Sequence, residues 1–266
     1  IATLGPATQS LEDIRALVHA GADTFRLNMS HASHEWAREV SAHVREAATD
    51  APRARTVGLL FDLQGPSIRT GTLAEPLILK EGDVVEFRHL DSDPALPLST
   101  TVNYPGLVND LSAGDPLLVD NGSMIMEVEV VTGDRITCAV QTNGQLGSRR
   151  HINLPGVRLN LPALTEKDRA DIEVAVECGA DFIAGSFVRD ADHVRELREQ
   201  IQASGGHAQL IAKLEDQEAI KHLDDIIHAS DIIMVARGDL GIEVHIEELP
   251  IIQRRIVKRC HDLGRR

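Results

Sequence analysis

The sequence predicts an α/β protein: a parallel sheet covered by helices, interrupted in mid-chain by a small all-β insertion. Two observations predict it. One unit recurs at both ends of the chain, an amphipathic helix closed by a small-residue stop and followed by a short apolar strand with a polar end. Between about Thr70 and Pro155 that rhythm stops, and β-type segments with turn signals replace it.

The first unit is "SLEDIRALVHAGADTFRLNMSH". Ser10 is placed to cap the helix, Leu11, Ile14, Leu17 and Val18 share one face, and Gly21 ends it. "EKDRADIEVAVECGADFIAGSFVRD" repeats the pattern with Ile172, Val176 and Gly179, and "LDDIIHASDIIMVARGD" gives it a third time. Strand patterns also appear in "TVGLLFD" and "QLIAKLE". Six strands are expected to begin near Ile1, Thr24, Thr56, Phe182, Gln209 and Ile232, with helices around 10–20, 34–49, 166–178, 191–203, 217–229 and 247–263. Such alternation implies right-handed crossovers and a parallel sheet.

The interruption holds "EGDVVEF" and a long β-rich run with Asn-Gly at 121–122 and 143–144, read as turns. No convincing helix is expected in it. We read 71–157 as a domain inserted into a loop of an α/β domain made of 1–70 and 158–266. Roughly 180 residues then remain, against the ~250 that a closed eight-unit barrel typically needs, so a barrel of that kind would be about two units short.

Composition narrows the function classes. Formal net charge is −14 and aromatics make up 3%. Neither suits a nucleic-acid partner, and the charge repels anionic lipid, so any phosphate chemistry must use local cations. The cysteines, Cys138, Cys178 and Cys260, form no CxxC or zinc-like spacing, which suggests a reducing, cytoplasmic setting. No apolar run approaches a membrane span and no signal-peptide pattern is visible.

Ligands of parallel α/β sheets bind beyond the carboxyl ends of the strands. Those ends carry Arg26, Asn28, Ser30, Asp62, Ser186, Lys213, Glu215, Arg237 and Asp239. Any one of them alone reads best as a solvated tip or structural ion pair; together they read as a site. Lys213 and Glu215, two apart, project to the same side of their strand. Glu215 and Asp239 suit a hard cation such as Mg²⁺, while Lys213 and Arg26 supply positive charge for a phosphoryl group or an enolate. The Arg-Gly-Asp at 237–239 follows an apolar strand expected to be buried, so it reads as part of this site and not as an adhesion loop. Gly238 would let backbone approach a carboxylate, and Arg237 would orient or support its neighbours. His31 and His34 at i, i+3 could pair on a metal, but no third ligand accompanies them.

The motifs "TLGPAT", "FRLNMSHASHE", "FDLQGPSIRTG", "VDNG", "LGSRRHINLPGVRLNLPALTEKD", "IAKLEDQEA" and "MVARGDLGIEV" resemble, in order and across essentially the whole chain, those of the pyruvate kinase family. The resemblance implies a TIM (β/α)8-type barrel, incomplete here at about six βα units, with the inserted small all-β barrel domain acting as a lid. It implies transfer of a phosphoryl group from phosphoenolpyruvate to ADP, giving pyruvate and ATP. Lys213 and Arg26 would be catalytic; Arg26, Lys213, Gly238 and Asp239 would bind substrate. Asn28, Met29, Ser30, His31, Arg69 and Arg150 would meet the nucleotide. Glu215 and Asp239 would hold Mg²⁺ (or Mn²⁺), and Asn28, Ser30, Asp62 and the carbonyl of Leu63 match K⁺ ligands of many members. Leu63-Gln64 tilts toward K⁺ independence, but Ser67 brings neither the Glu nor the Lys expected beside it, so the K⁺ requirement stays open. Ala32 replaces a usual Gly, Asn121 a usual acidic residue, and Arg149-Arg150-His151 a usual Lys-Lys-Gly. The family's last two βα units and C-terminal regulatory domain are absent, so a fragment with two open sheet edges is expected, from a protein that in the family is a cytoplasmic homotetramer. Two other readings stay open: a Mg²⁺-dependent pyruvate-enolate aldolase or lyase on a similar barrel, and an inactive truncated paralogue serving as a binding module.

Overall fold

The computed structural model describes residues 1–49 and 56–266. The chain runs β1 (Ala2–Thr3), α1 (Leu11–His19), β2 (Thr24–Asn28), α2 (His34–Thr49) and β3 (Gly58–Asp62). Strands then dominate: β4 (Leu77–Leu79), β5 (Val84–Arg88), β6 (Ser99–Thr101), the single-turn helix α3 (Leu107–Asp110), β7 (Pro116–Val119), β8 (Met124–Val131), β9 (Arg135–Val140), β10 (Gly144–Leu146) and β11 (Ile152–Asn153). The alternation returns with α4 (Glu166–Glu177), β12 (Phe182–Gly185), α5 (Ala191–Ala203), β13 (Gln209–Leu214), α6 (Gln217–Lys221), α7 (Leu223–Ala229), β14 (Ile232–Val235), α8 (Arg237–Glu243) and α9 (Leu249–Asp262).

The first sheet is ordered β1-β2-β3-β12-β13-β14, and every neighbouring pair is parallel. Spatial order follows chain order without reversal. Right-handed crossovers that always step the same way put all helices on one side, which is barrel winding and not doubly wound winding. The side chains agree. Phe25, Leu27, Leu59, Phe61, Ile183, Leu210 and Leu214 face the helices in one large core, while Leu60, Ala184 and Ile211 form a separate small cluster on the opposite, inner face. The sheet is thus an arc of a (β/α) barrel, buried on both faces. Among the described residues β1 and β14 each have one strand neighbour, although the Ile233 N–H donates to the Arg266 carbonyl.

Local signals explain the helix ends. Ser10 Oγ accepts from the Asp13 N–H at 3.2 Å, and Gly21 takes φ 102° just beyond α1. Thr165 and Asp168 form a reciprocal capping box at α4, and Asp190 caps α5.

The middle strands build a second sheet, β11-β7-β8-β9-β5-β6, whose pairs are antiparallel except β5 with β6. It has its own apolar core, including Val85, Phe87, Leu117, Met126 and Ile136. Where the chain enters and leaves this layer, Arg69 and His151 form an antiparallel bridge.

Several local expectations change. The segment expected to lack helix contains α3. Asn121-Gly122 joins the β7–β8 hairpin, with Asp120, Asn121 and Gly122 at φ 53°, 57° and 78°. Asn143-Gly144 does not close a hairpin, because β10 pairs with β4 and not with β9. The helix expected over 217–229 breaks at His222 into α6 and α7. β14 is half-buried, not buried, since among the described residues nothing pairs with its outer edge except the tail contact at Ile233. No helix among the described residues is long and apolar enough to cross a membrane.

Candidate active site

The carboxyl ends of the parallel strands open into a cavity of about 510 Å³, roofed by the second sheet. Of the residues expected there, Arg26, Asn28, Ser30, His31, Asp62, Leu63, Arg69, Arg150, Lys213, Glu215 and Asp239 all line it. They come from β2, β3, β13, the start of α8 and the stems of the second sheet.

Lys213 is the hub. Its Nζ lies 2.8 Å from Glu215 Oε1 and 3.2 Å from Asp62 Oδ1, and donates to Ser186 Oγ at 2.6 Å. Ser186 in turn donates to the Leu63 carbonyl at 2.8 Å, which locks the hydroxyl's orientation. Arg26 reaches Asp62 Oδ2 through Nε at 2.7 Å and Nη2 at 2.5 Å. Two cations therefore share one buried carboxylate, and the arrangement resists displacement of either ammonium or guanidinium.

Electrostatics follow from crowding. Burial works against the charge of Lys213, but Glu215 and Asp62 outweigh it and raise its pKa, so it stays an ammonium. Burial pushes the Glu215 carboxyl up to about 7 against the pull of Lys213, and nearby Asp239 adds to the rise. Glu215 Oε2 also accepts the Phe187 N–H at 2.6 Å. Burial, with help from Arg69, drives His151 down to about 4, so it is neutral near pH 7. Its ring packs against Phe187, with centroids 5.6 Å apart.

Phe187 holds φ 55°, a conformation costly for a bulky residue. That strain aims its N–H at Glu215. Gly65 supports the same turn: at φ 69°, a Cβ there would lie 2.8 Å from the Ser186 carbonyl oxygen and 3.1 Å from the Phe187 ring. The Gly65 N–H donates to Asp168, buried at the start of α4, at 3.0 Å.

The donor set fits a divalent cation. Glu215 and Asp239 offer two carboxylates, one deeply buried and paired, among the described residues, only with Lys213 and the Phe187 N–H, and Mg²⁺ needs only one or two from protein. Among the described residues no group of three His, Cys, Asp or Glu could hold a metal alone, so substrate and water oxygens would complete the shell. The K⁺ set fits less well. Both Asp62 oxygens face cations, the Leu63 carbonyl already accepts from Ser186, and Asn28 Oδ1 accepts the Ser30 N–H at 3.1 Å. Ser67 Oγ accepts from Arg69 Nε at 3.2 Å.

The expectations for Met29 and Arg237 are revised, and two further positions are placed. Met29 does not line the cavity: its side chain is fully buried in the helix-side core, its N–H donates to the Asp62 carbonyl, and its carbonyl accepts from Lys167 Nζ. Gly238 is exposed in the first turn of α8, with no positive φ and open space around a Cβ, so its own backbone does not demand glycine. Arg237 is exposed and forms no hydrogen bond or ion pair among the described residues, so it supports nothing here. His34 pairs with Asp171 at 2.8 Å, which removes it from any metal pair with His31. In the opposite direction, Ser186, Phe187, His151 and Gly65 shape the site more than their sequence context suggested. A polar Ser at a strand end was the only visible signal.

Beside the cavity, the two layers touch through Glu243. Its Oε1 accepts from Asn153 Nδ2 at 3.2 Å and its carbonyl accepts from Gln217 Nε2. Burial pushes this carboxyl up to about 7, opposed by the Asn153 hydrogen bond. The folded protein thus holds a proton that the unfolded chain releases near the ordinary Glu value, and stability falls as pH rises between those two values. Glu243→Gln keeps the acceptor without the charge. It should leave stability nearly unchanged at pH 4, below the unfolded value, and raise it by about 1–3 kcal/mol at pH 8, as read by urea unfolding; equal effects at both pH values would refute the assignment.

The whole chain, residues 1–266, matches the family profile described as "Pyruvate kinase, barrel domain". It is 42% identical to a pyruvate kinase of Geobacillus stearothermophilus over 269 residues, covering 100% of this chain and 45% of that protein. It is 42% identical to plastidial pyruvate kinase 2 of Arabidopsis thaliana over 265 residues, covering 100% of this chain and 45% of the relative. A pyruvate kinase of Mycobacterium intracellulare is 40% identical over 263 residues, covering 98% of this chain and 55% of that protein. The chain spans about half the length of the curated relatives it matches.

Proposed function

Because the chain belongs to the pyruvate kinase family, we propose that it carries the phosphoryl-transfer site of an enzyme that converts phosphoenolpyruvate and ADP to pyruvate and ATP. The observation that carries this reading is the convergence of Lys213, Arg26, Glu215 and Asp239 with Arg69 and Arg150 on one cavity. Phosphoryl transfer asks little covalent chemistry of a protein and much positioning and charge neutralisation, and this residue set supplies both.

Lys213 would hold its ammonium against the transferring phosphoryl group and the enolate oxygen left behind. Arg26 would bind the phosphate, with Asp62 fixing the guanidinium plane. The N–H groups of Gly238 and Asp239, at the start of α8 and without a side-chain cap among the described residues, would donate to the substrate carboxylate. Glu215 and Asp239 would hold Mg²⁺ or Mn²⁺, which when bound neutralises charge on substrate oxygens. Asn28, Ser30, His31, Arg69 and Arg150 would meet the nucleotide phosphates; Met29 would contribute only by its place in the turn. Arg150, 3.3 Å from Asp120, is carried by the β-rich segment, for which we propose the role of a lid domain spanning 71–157. A cytoplasmic, homotetrameric enzyme is the accompanying proposal.

A coupled assay of ADP phosphorylation from phosphoenolpyruvate tests the reading in the full-length protein. Absence of turnover with Mg²⁺ and K⁺ supplied would overturn it. Since Asp62 is already matched by Arg26 and Lys213, rates in tetramethylammonium should come within about threefold of those in K⁺, less than one kcal/mol in barrier. A stimulation by K⁺ of a hundredfold, about 2.7 kcal/mol, would show instead that the ion displaces one of those cations.

A further inference from the structure

A second polar cavity, of about 410 Å³, lies on the seam between the β-rich segment and the barrel, away from the strand-end site. Its walls come from α3, the stem at 158–161, the loop after β12, the first turn of α5, and α6 with His222. Three side chains there have uncommitted nitrogens, donors on the two arginines and on His193 in the tautomer that carries its proton on Nδ1. Arg189 is 6% exposed and its Nε pairs with Asp216 at 3.2 Å, yet its Nη1 is buried without a hydrogen-bond partner among the described residues. His193 Nδ1 is likewise buried and unpartnered among the described residues. Arg158 is exposed and forms no ion pair or hydrogen bond among the described residues.

The acids lining the same cavity are already engaged. Asp110 Oδ2 accepts from Tyr104 Oη at 2.5 Å and from the Asn160 N–H at 3.0 Å. Asp190 Oδ1 accepts the N–H groups of Asp192 and His193, both at 2.9 Å, as the cap of α5. Glu218 pairs with Lys221 at 2.8 Å and His222 at 3.3 Å. Asp110 and Asp190 keep their other oxygen for solvent, whereas the buried atoms left without a partner among the described residues are nitrogens, Arg189 Nη1 and His193 Nδ1, in a protein whose net charge is −14. A buried guanidinium nitrogen with no acceptor is costly, and the cost is relieved by an oxyanion.

We propose that this seam cavity binds a phosphate group, with Arg189 Nη1, His193 Nδ1 and Arg158 as its donors. The fork of Arg189 suits a phosphate oxygen, and the volume leaves room for a small organic group esterified to it. Because its walls belong to both layers, an occupant would bridge them.

Calorimetric titration of the full-length protein with inorganic phosphate, and separately with glycerol 3-phosphate, tests this. Saturable binding of either below about 10 mM supports the site, and the tighter of the two identifies free or esterified phosphate as the source. Arg158→Met/His193→Gln should weaken it about tenfold or more with an unchanged melting temperature. Should that variant fold poorly, Arg158→Glu, at an exposed position, must weaken it alone. No saturable binding by either probe, or binding that survives these variants and disappears in Arg69→Met, would overturn the proposal.

Discussion

Lys213→Met should lower kcat by about 10²–10³-fold, or roughly 3–4 kcal/mol in the barrier, the range seen when one preorganised charge-stabilising donor is removed. The loss should fall on kcat more than on KM, because the ammonium matters most where charge develops on transfer. Its three partners explain why no neighbour can substitute. Ser186 Oγ is a neutral hydroxyl, and Arg26 is held on the far oxygen of Asp62. Removing the ammonium also leaves Glu215 and Asp62 less well paired in a buried setting, which costs stability. Activity must therefore be normalised to folded protein, by circular dichroism at the assay temperature. Turnover within about threefold of the parent, under one kcal/mol, would sink the assignment of Lys213 to the chemistry.

Gly65→Ala should be nearly as damaging without touching a substrate. The new methyl group meets the Ser186 carbonyl oxygen at 2.8 Å and Ser186 Cβ at 2.9 Å, on a backbone already at φ 69°. Strain of this kind costs on the order of 2–4 kcal/mol, which thermal unfolding would register. Relief requires Ser186 and Phe187 to shift, and these two hold Lys213 and Glu215 respectively. A fall in kcat together with a lowered melting temperature is expected. Gly65→Ala with parental stability and parental kcat would show that the turn at 186–187 is not what positions the pair.

The strand order was legible because each βα unit repeats one pattern, and chain order became spatial order. Lys213 and Glu215 were legible because polar residues at the end of an apolar strand have no packing reason to be there. Met29 misled for the converse reason: it sits inside a polar motif, and only the packing of β2 against α2 and α4 shows that its side chain belongs to the core. At Gly238 the φ is ordinary, so the fold itself does not require glycine there. The break at His222 and the helix α8 follow from how short segments pack, where local propensity is weak.

Composition, periodicity and motif order by themselves determined the parallel βα winding, the β-rich interruption, the strand-end set of charges and the family. Those features depend on which residue types follow one another, and that information is local. Tertiary structure alone decided that Asp62 is shared by Arg26 and Lys213, and that Phe187 is strained to reach Glu215. It alone buried Arg189 Nη1 and His193 Nδ1 without a hydrogen-bond partner among the described residues, on side chains that line a second cavity. Hydrogen-bond partners, burial and left-handed backbone are properties of groups far apart in the chain, and they come into being only when the layers close on one another.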